Sequence, residues 1–257
     1  MKKILRCDTH VHTGYSFDND TPMSKYPQKA LELGVDVVCF TDHVDCTPKF
    51  NTFCDFQFGK RAEEFFKLKE RYKGKVTLLL GFEVGEPHLH PKEMAFLNSL
   101  APDMIIGSIH RPADYEKERS YTNFEYERLY DRYVHDMVDW GEFDVLGHLD
   151  MPKRYHSDYV EDTETIRSTL ALCVKRGVVP ELNTSQLRYG GDYTLPDLNN
   201  VEFYRRCGGK FVCIGSDCHD ESILCAHFDE VASKLPNGLS VCYFENRKLI
   251  PLNSLQK

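Results

Sequence analysis

Seven short apolar runs recur along the chain: "KILRCD", "VDVVCFTDH", "VTLLLGFEV", "DMIIGSIH", "FDVLGHLD", "GVVPELNTS" and "KFVCIGSDCH". Each is nearly continuous and rich in β-branched residues, as strands buried on both faces of a parallel sheet are. Helical patterns lie between them. "GKRAEEFFKLKERYKG" reads as a helix stopped by Gly74. After Thr122, residues Tyr126, Leu129, Tyr130, Tyr133 and Met137 mark one helix face. "DTETIRSTLALCVKRG" opens on an Asp162 N-cap and closes on Lys175, Arg176 and Gly177. Strand–helix alternation implies right-handed βαβ units around a parallel sheet, and seven such strands favour a barrel over an open sheet. No repeat, low-complexity tract or Pro/Gly/Ser-rich linker divides the 257 residues, so 1–257 reads as one domain. The tail "SVCYFENRKLIPL" reads as a short hairpin turning at Glu245–Asn246.

The residues that end these runs are chemically unusual. The first ends at His10 and His12, the second at Asp42 and His43, the third at Glu83 and the fourth at His110. The fifth ends at His148 and Asp150, the sixth at Glu181 and Asn183, the seventh at Asp217 and His219. In a parallel α/β barrel all C-terminal strand ends meet on one face, where the active site sits. His10 and His12, two apart on a strand, point the same way. A lone histidine at a strand end is usually just a satisfied polar residue, and a lone aspartate before a helix is usually a cap. Such residues at nearly every strand end are not explained that way and indicate a metal site. His88 and His90 form a second H-x-H, but in a Pro-bounded loop, so a surface or rim position is expected. His135, His156 and His227 are read as structural or solvated.

Composition narrows the partners. The formal net charge is −8, with 32 Lys+Arg against 40 Asp+Glu, which argues against a nucleic-acid partner. No apolar run approaches the roughly 20 residues that span a membrane. Several of the ten cysteines, such as Cys39 and Cys213, lie inside apolar runs and no C-x-x-C pair occurs. Together with the absence of a signal peptide this points to the cytoplasm, free thiols and no disulfide framework. The oligomeric state is not readable.

Six motifs in order carry a family resemblance: D-x-H-x-H at Asp8–His12, T-D-H at Thr41–His43, G-x-E at Gly81–Glu83, G-S-x-H at Gly107–His110, G-H-x-D at Gly147–Asp150 and S-D-x-H at Ser216–His219. They resemble the PHP (polymerase and histidinol phosphatase) superfamily. "PELNTSQLR" and "GHLDMPKRY" are similar to segments of its histidinol-phosphate phosphatase branch. The resemblance implies a distorted parallel (β/α)7 barrel with up to three metal ions. By motif, His10, His12, Glu83 and Asp217 would hold the first ion, and Glu83, His110 and His148 the second, with Glu83 bridging. Asp18, His43 and His219 would hold the third. Asp8 is expected to orient ligands from behind. Gln186 stands where the segment usually has Gly, and Cys218 where S-D-x-H commonly has Ala; Cys218 is expected to point away.

Histidine and carboxylate ligands without thiolate suit Zn, Mn or Fe. Two or three close ions would give a hydroxide near neutral pH that attacks phosphorus in line, the third ion serving the leaving alkoxide. Asp18, His43, Glu83 and His219 are therefore expected to be catalytic as well as metal-binding. A phosphate dianion also needs cations, and Arg154, Arg188 and Arg111 are the candidates. The expected reaction is hydrolysis of L-histidinol phosphate, a small phosphorylated substrate, in histidine biosynthesis. Glu181 would pair with its ammonium, and Tyr15 or Phe17 would pack on its ring. A PHP phosphoesterase for another small ester or nucleotide is the alternative. A metal-dependent amidohydrolase, a more distant one, often bridges its metals with a modified lysine, and no lysine lies in "LLLGFEVGE".

Overall fold

The apolar runs form strands throughout the computed structural model, which describes residues 6–47, 50–112 and 122–252. In chain order these are β1 (Cys7–Val11), helix α1 (Lys25–Leu33), β2 (Val37–Phe40), β3 (His43–Thr47), β4 (Phe50–Asn51), α2 (Phe58–Arg71), β5 (Thr77–Gly85), α3 (Pro91–Ser99), β6 (Met104–Ser108), α4 (Asn123–Trp140), β7 (Val145–Leu146), α5 (Thr163–Arg176), β8 (Val179–Asn183), α6 (Ser185–Arg188), α7 (Leu198–Arg206), β9 (Phe211–Gly215), α8 (Phe228–Lys234), β10 (Ser240–Glu245) and β11 (Lys248–Pro251). Residues Lys3 to Leu5 of the first run lie outside the described residues.

The fold is α/β with a mostly parallel sheet in the order β1-β2-β5-β6-β7-β8-β9-β10-β11. β1 also lies beside the end of β9. His12 N–H donates to Cys218 O at 3.0 Å, and Thr9 Oγ1 donates to Ile214 O at 3.0 Å. One side chain from each of seven strands (Cys7, Cys39, Leu79, Ile106, Val145, Val179 and Cys213) meets in a single buried cluster. Apolar burial in this cluster thus holds the strands together.

The strand count differs from seven. The second run splits, because β2 stops at Phe40 and Asp42 turns into the protein to meet Arg61. His43 then starts β3, which pairs parallel with β5 and forms an antiparallel pair with β4. The tail hairpin turns at Asn246 and Arg247, both at positive φ, one residue later than expected, and its first strand joins β9 in parallel.

Helix ends follow local chemistry. Asp162 caps α5 by accepting from Thr165 N–H, and Gly177 closes it in the left-handed region. α4 opens with a Thr122–Glu125 capping box and buries Leu129, Tyr130 and Met137. α2 ends at Arg71 rather than at Gly74, which sits at positive φ in the turn beyond it. No helix among the described residues is long and apolar enough to cross a membrane.

Candidate metal centre and active site

Strand register puts Glu83 at the middle of the functional end. On β5 it lies directly beside His43 of β3 and Ile106 of β6. A bulge in β1 between Asp8 and Val11 adds one residue against β2 just where His10 is placed, and such bulges re-aim side chains at strand ends. His10 and His12 share a direction, as their spacing required, with ring centroids 4.9 Å apart. Gly81 is needed beneath this point, since a Cβ there would stand 2.5 Å from Met104 O.

Six imidazoles gather around three carboxylates. Glu83 Oε2 lies 3.1 Å from His10 Nε2, 3.4 Å from His12 Nε2 and 2.9 Å from His43 Nδ1. Its Oε1 lies 3.2 Å from His110 Nε2 and 3.0 Å from His148 Nε2, and accepts from Ser108 Oγ at 2.7 Å. Asp217 Oδ1 is 3.4 Å from His12 Nε2, 3.9 Å from His10 Nε2 and 3.8 Å from His219 Nδ1. Asp18 Oδ2 lies 3.2 Å from His219 Nε2 and 3.6 Å from His43 Nε2. All nine residues expected to bind metal are therefore in one place.

Burial and charge oppose one another across this cluster. Burial raises the Glu83 carboxyl, but positive charge on His10, His43 and His110 outweighs it and holds the group well below its ordinary value. Burial pulls His12 down to about 3, and charge on His43 and His219 pulls the same way. Burial also opposes protonation of His43, yet Glu83 and Asp18 push it up to about 10. His10 Nε2, His12 Nε2, His43 Nδ1 and Glu83 Oε2 are buried without any hydrogen-bond partner. Inward-facing lone pairs with no donors are what a divalent ion satisfies, so the donor set fits metal. The groups His10–His12–Glu83, His43–Glu83–His110 and His12–His43–His219 each bring their ligand atoms within 4.8 Å of one another.

A second ring of side chains positions these donors. His110 Nδ1 pairs with Asp45 Oδ1 at 2.8 Å, and Glu86 Oε1 accepts both the His110 and Arg111 N–H groups. His12 Nδ1 bonds Ser16 Oγ at 3.0 Å. Asp8 acts on the backbone: its carboxylate accepts from His10 N–H, Ser216 N–H and Oγ, and Cys225 N–H, tying β1 to the loop that carries Asp217. Asp42 accepts from Thr13 N–H and Oγ1 and from Arg61 Nε, fixing the loop after β1. Ser16, Asp45, Glu86 and Arg61 were not singled out from sequence. Only Asp45 carried a local signal, two residues beyond His43 on the same strand.

Glu181 differs from its expected role. It is fully buried; Oε1 lies 2.7 Å from His10 Nδ1, and Oε2 accepts from His148 N–H and Asn183 Nδ2. Strand pairing with β9 places it behind His10 rather than on the cavity wall. The cavity itself holds about 570 Å³ and is walled by Phe17, Asp18, Arg111, Arg154, Arg188 and Asp217 among others. Arg154 reaches within 3.9 Å of Asp217 Oδ2, and its Nε is buried without a partner. Arg188 donates its terminal nitrogens to Ser216 O and Asp217 O, bracing that loop. Arg111 is exposed at the rim. Phe17 is exposed and packs on His43, whereas Tyr15 turns away to Glu64 Oε2. Gln186 lies within α6. Cys218 is buried in apolar packing with Val11, Met23 and Tyr26. His88 and His90 lie apart from the cluster, His88 against Tyr133 and His90 at the start of α3. His135 is on α4, His156 pairs with Glu127 and His227 precedes α8.

Known proteins resemble this chain in sequence and fold. The histidinol-phosphatase of Lactococcus lactis subsp. lactis IL1403 is 25% identical over 244 residues, covering 85% of each chain. The Thermotoga maritima protein named probable histidinol-phosphatase is 30% identical over 237 residues, covering 89% of this chain and 90% of that protein. The crystal structure of histidinol phosphate phosphatase from L. lactis, complexed with zinc, L-histidinol and phosphate, is similar with a TM-score of 0.85 at 22% identity, covering 95% of this chain and 98% of that one. The PHP domain model matches residues 8–185, and the chain belongs to the PHP domain family.

Proposed function

We propose that this protein is a metal-dependent phosphomonoesterase that hydrolyses L-histidinol phosphate to L-histidinol and phosphate. The observation that carries the reading is a cluster of buried, donor-less imidazole and carboxylate atoms opening onto a cavity with an unpaired arginine nitrogen. The L. lactis relative, whose structure contains zinc, histidinol and phosphate, supports the substrate.

His10, His12, Asp18, His43, Glu83, His110, His148, Asp217 and His219 are the proposed ligands of two or three divalent ions, zinc, manganese or iron. Such ions bring the pKa of a water near neutrality and screen phosphoryl oxygens. The chain's own contribution is orientation. Arg154 binds the phosphoryl group through its free Nε, and Arg188 and Arg111 add positive field at the wall and rim. Glu181 holds His10 and Asp45 holds His110, each fixing an imidazole tautomer for its role. Phe17 and Tyr155 cover the outer cavity, where the leaving alcohol sits.

We also read the strands as a distorted barrel within one domain, 1–257, supported by the Val11–Cys218 bridge. A cytoplasmic site is supported by ten free cysteines. The test is phosphate release from L-histidinol phosphate against a monoester panel, with metal analysis of the same sample. Brisk hydrolysis of other esters but none of this one would reject the substrate and leave a PHP phosphoesterase of other specificity.

A further inference from the structure

Outside the histidine cluster, three carboxylates from separate parts of the chain converge. Asp150 follows β7, Glu161 precedes α5 and Asp197 caps α7. One oxygen of each lies within 4.8 Å of the others. Asp150 is fully buried, and neither of its oxygens accepts a hydrogen bond. Burying a carboxylate with no donor is costly, and such groups are normally paired or bound to a cation.

Among the described residues no side chain donates a hydrogen bond to Asp150. Lys153 Nζ bonds Asp197 Oδ2 at 3.1 Å and packs 4.0 Å from the Tyr193 ring centroid. It makes no ion pair with Asp150 within 4.0 Å. The other two carboxylates are braced from outside. Asp197 Oδ1 accepts the N–H groups of Asn199 and Asn200, and Glu161 Oε2 accepts from Asn200 Nδ2 at 2.9 Å. Three carboxylates against one ammonium leave a formal charge of about −2, which one divalent ion balances.

We propose that Asp150, Glu161 and Asp197 bind a hard divalent cation of the calcium or magnesium type. The donors are all oxygen, the set such ions prefer, and they contain neither imidazole nor thiolate. Asp197 also lines a cavity of about 440 Å³. The site ties the segment after β7 to the starts of α5 and α7. Because Asp150 lies two residues beyond His148, the ion acts as a positioning group for that end of the histidine cluster.

The test uses full-length, zinc-loaded protein freed of excess metal and titrated with Tb³⁺, with emission sensitised by tyrosines such as Tyr193. Ca²⁺ is then added as competitor. The expected result is one saturable equivalent of Tb³⁺ per chain, displaced by Ca²⁺ and bound at least tenfold more weakly by Glu161→Gln. Asp197→Asn, which keeps a side chain able to cap α7, should weaken binding likewise. The proposal is overturned by absence of a saturable site in the wild-type protein, or by both variants binding as tightly as wild type. It is equally overturned if His219→Ala abolishes the signal while Glu161→Gln leaves it intact, because the ion would then occupy the histidine cluster.

Discussion

Glu181→Gln separates two roles for a buried carboxylate. In the structure Glu181 Oε1 faces His10 Nδ1 at 2.7 Å, with both groups fully buried. Burial disfavours a charge on His10, yet Glu181 and Glu83 together lift its pKa well above the ordinary value. Glutamine keeps the shape and can still accept from Nδ1, so the loss is the charge. A charge-assisted hydrogen bond contributes about 1.5–3 kcal/mol and a neutral one about 0.5–1.5. The difference of roughly 1–2 kcal/mol corresponds to about 5- to 30-fold weaker metal binding, near the range for partners placed behind metal-bound imidazoles. The assay is zinc retained after dialysis against graded chelator, alongside KM for L-histidinol phosphate and for a plain aryl phosphate. Weakened zinc retention, with both substrates affected alike once metal is restored to saturation, is expected. Unchanged zinc retention with a raised KM for histidinol phosphate alone would refute the reasoning and return Glu181 to the substrate's ammonium.

Four further outcomes follow from particular contacts. Glu83→Gln removes the carboxylate that faces five imidazoles and should sharply lower metal content, read by elemental analysis; unchanged metal content counts against Glu83 as a ligand. Arg154→Ala should raise KM for phosphate monoesters roughly ten- to a hundredfold, from the loss of a charge-assisted contact, with zinc content held. Gly215→Ala sets a Cβ against Glu181 Oε1 and 2.5 Å from His10 Cβ; it should destabilise the protein by about 1–3 kcal/mol in urea melts and release zinc. Asp131 is buried and neither oxygen accepts a hydrogen bond, with Arg128 Nη1 no nearer than 4.0 Å; burial outweighs that charge and lifts its carboxyl to about 7. Its favourable contribution is therefore complete below the unfolded value of 3.8 and lost as pH rises through about 7. Asp131→Asn should then be more stable than wild type at pH 8, by at most on the order of 4 kcal/mol, with the gain fading toward pH 4; a pH-independent difference between the two urea curves contradicts it.

The order of strands and helices, and which residues end each strand, were legible in the chain because both are local. Continuous β-branched runs read as buried strands, and Asp162 and Gly177 mark helix ends by their own backbone chemistry. Chain order also placed His10, His12, His43, Glu83, His110, His148, Asp217 and His219 at strand ends on one expected face. What lies behind each donor was not legible. Glu181 meets His10 across 171 positions, and Asp45 meets His110 across 65. Those pairings depend on the register between strands and on the β1 bulge, which no periodicity encodes. The split of the second apolar run is of the same kind, since it depends on Arg61 of a distant helix reaching Asp42. Local sequence thus determined which groups could bind metal and carry phosphate chemistry. Tertiary packing alone decided which carboxylate faces the cavity and which stays beneath an imidazole, because burial and charge pairing are properties of the assembled sheet.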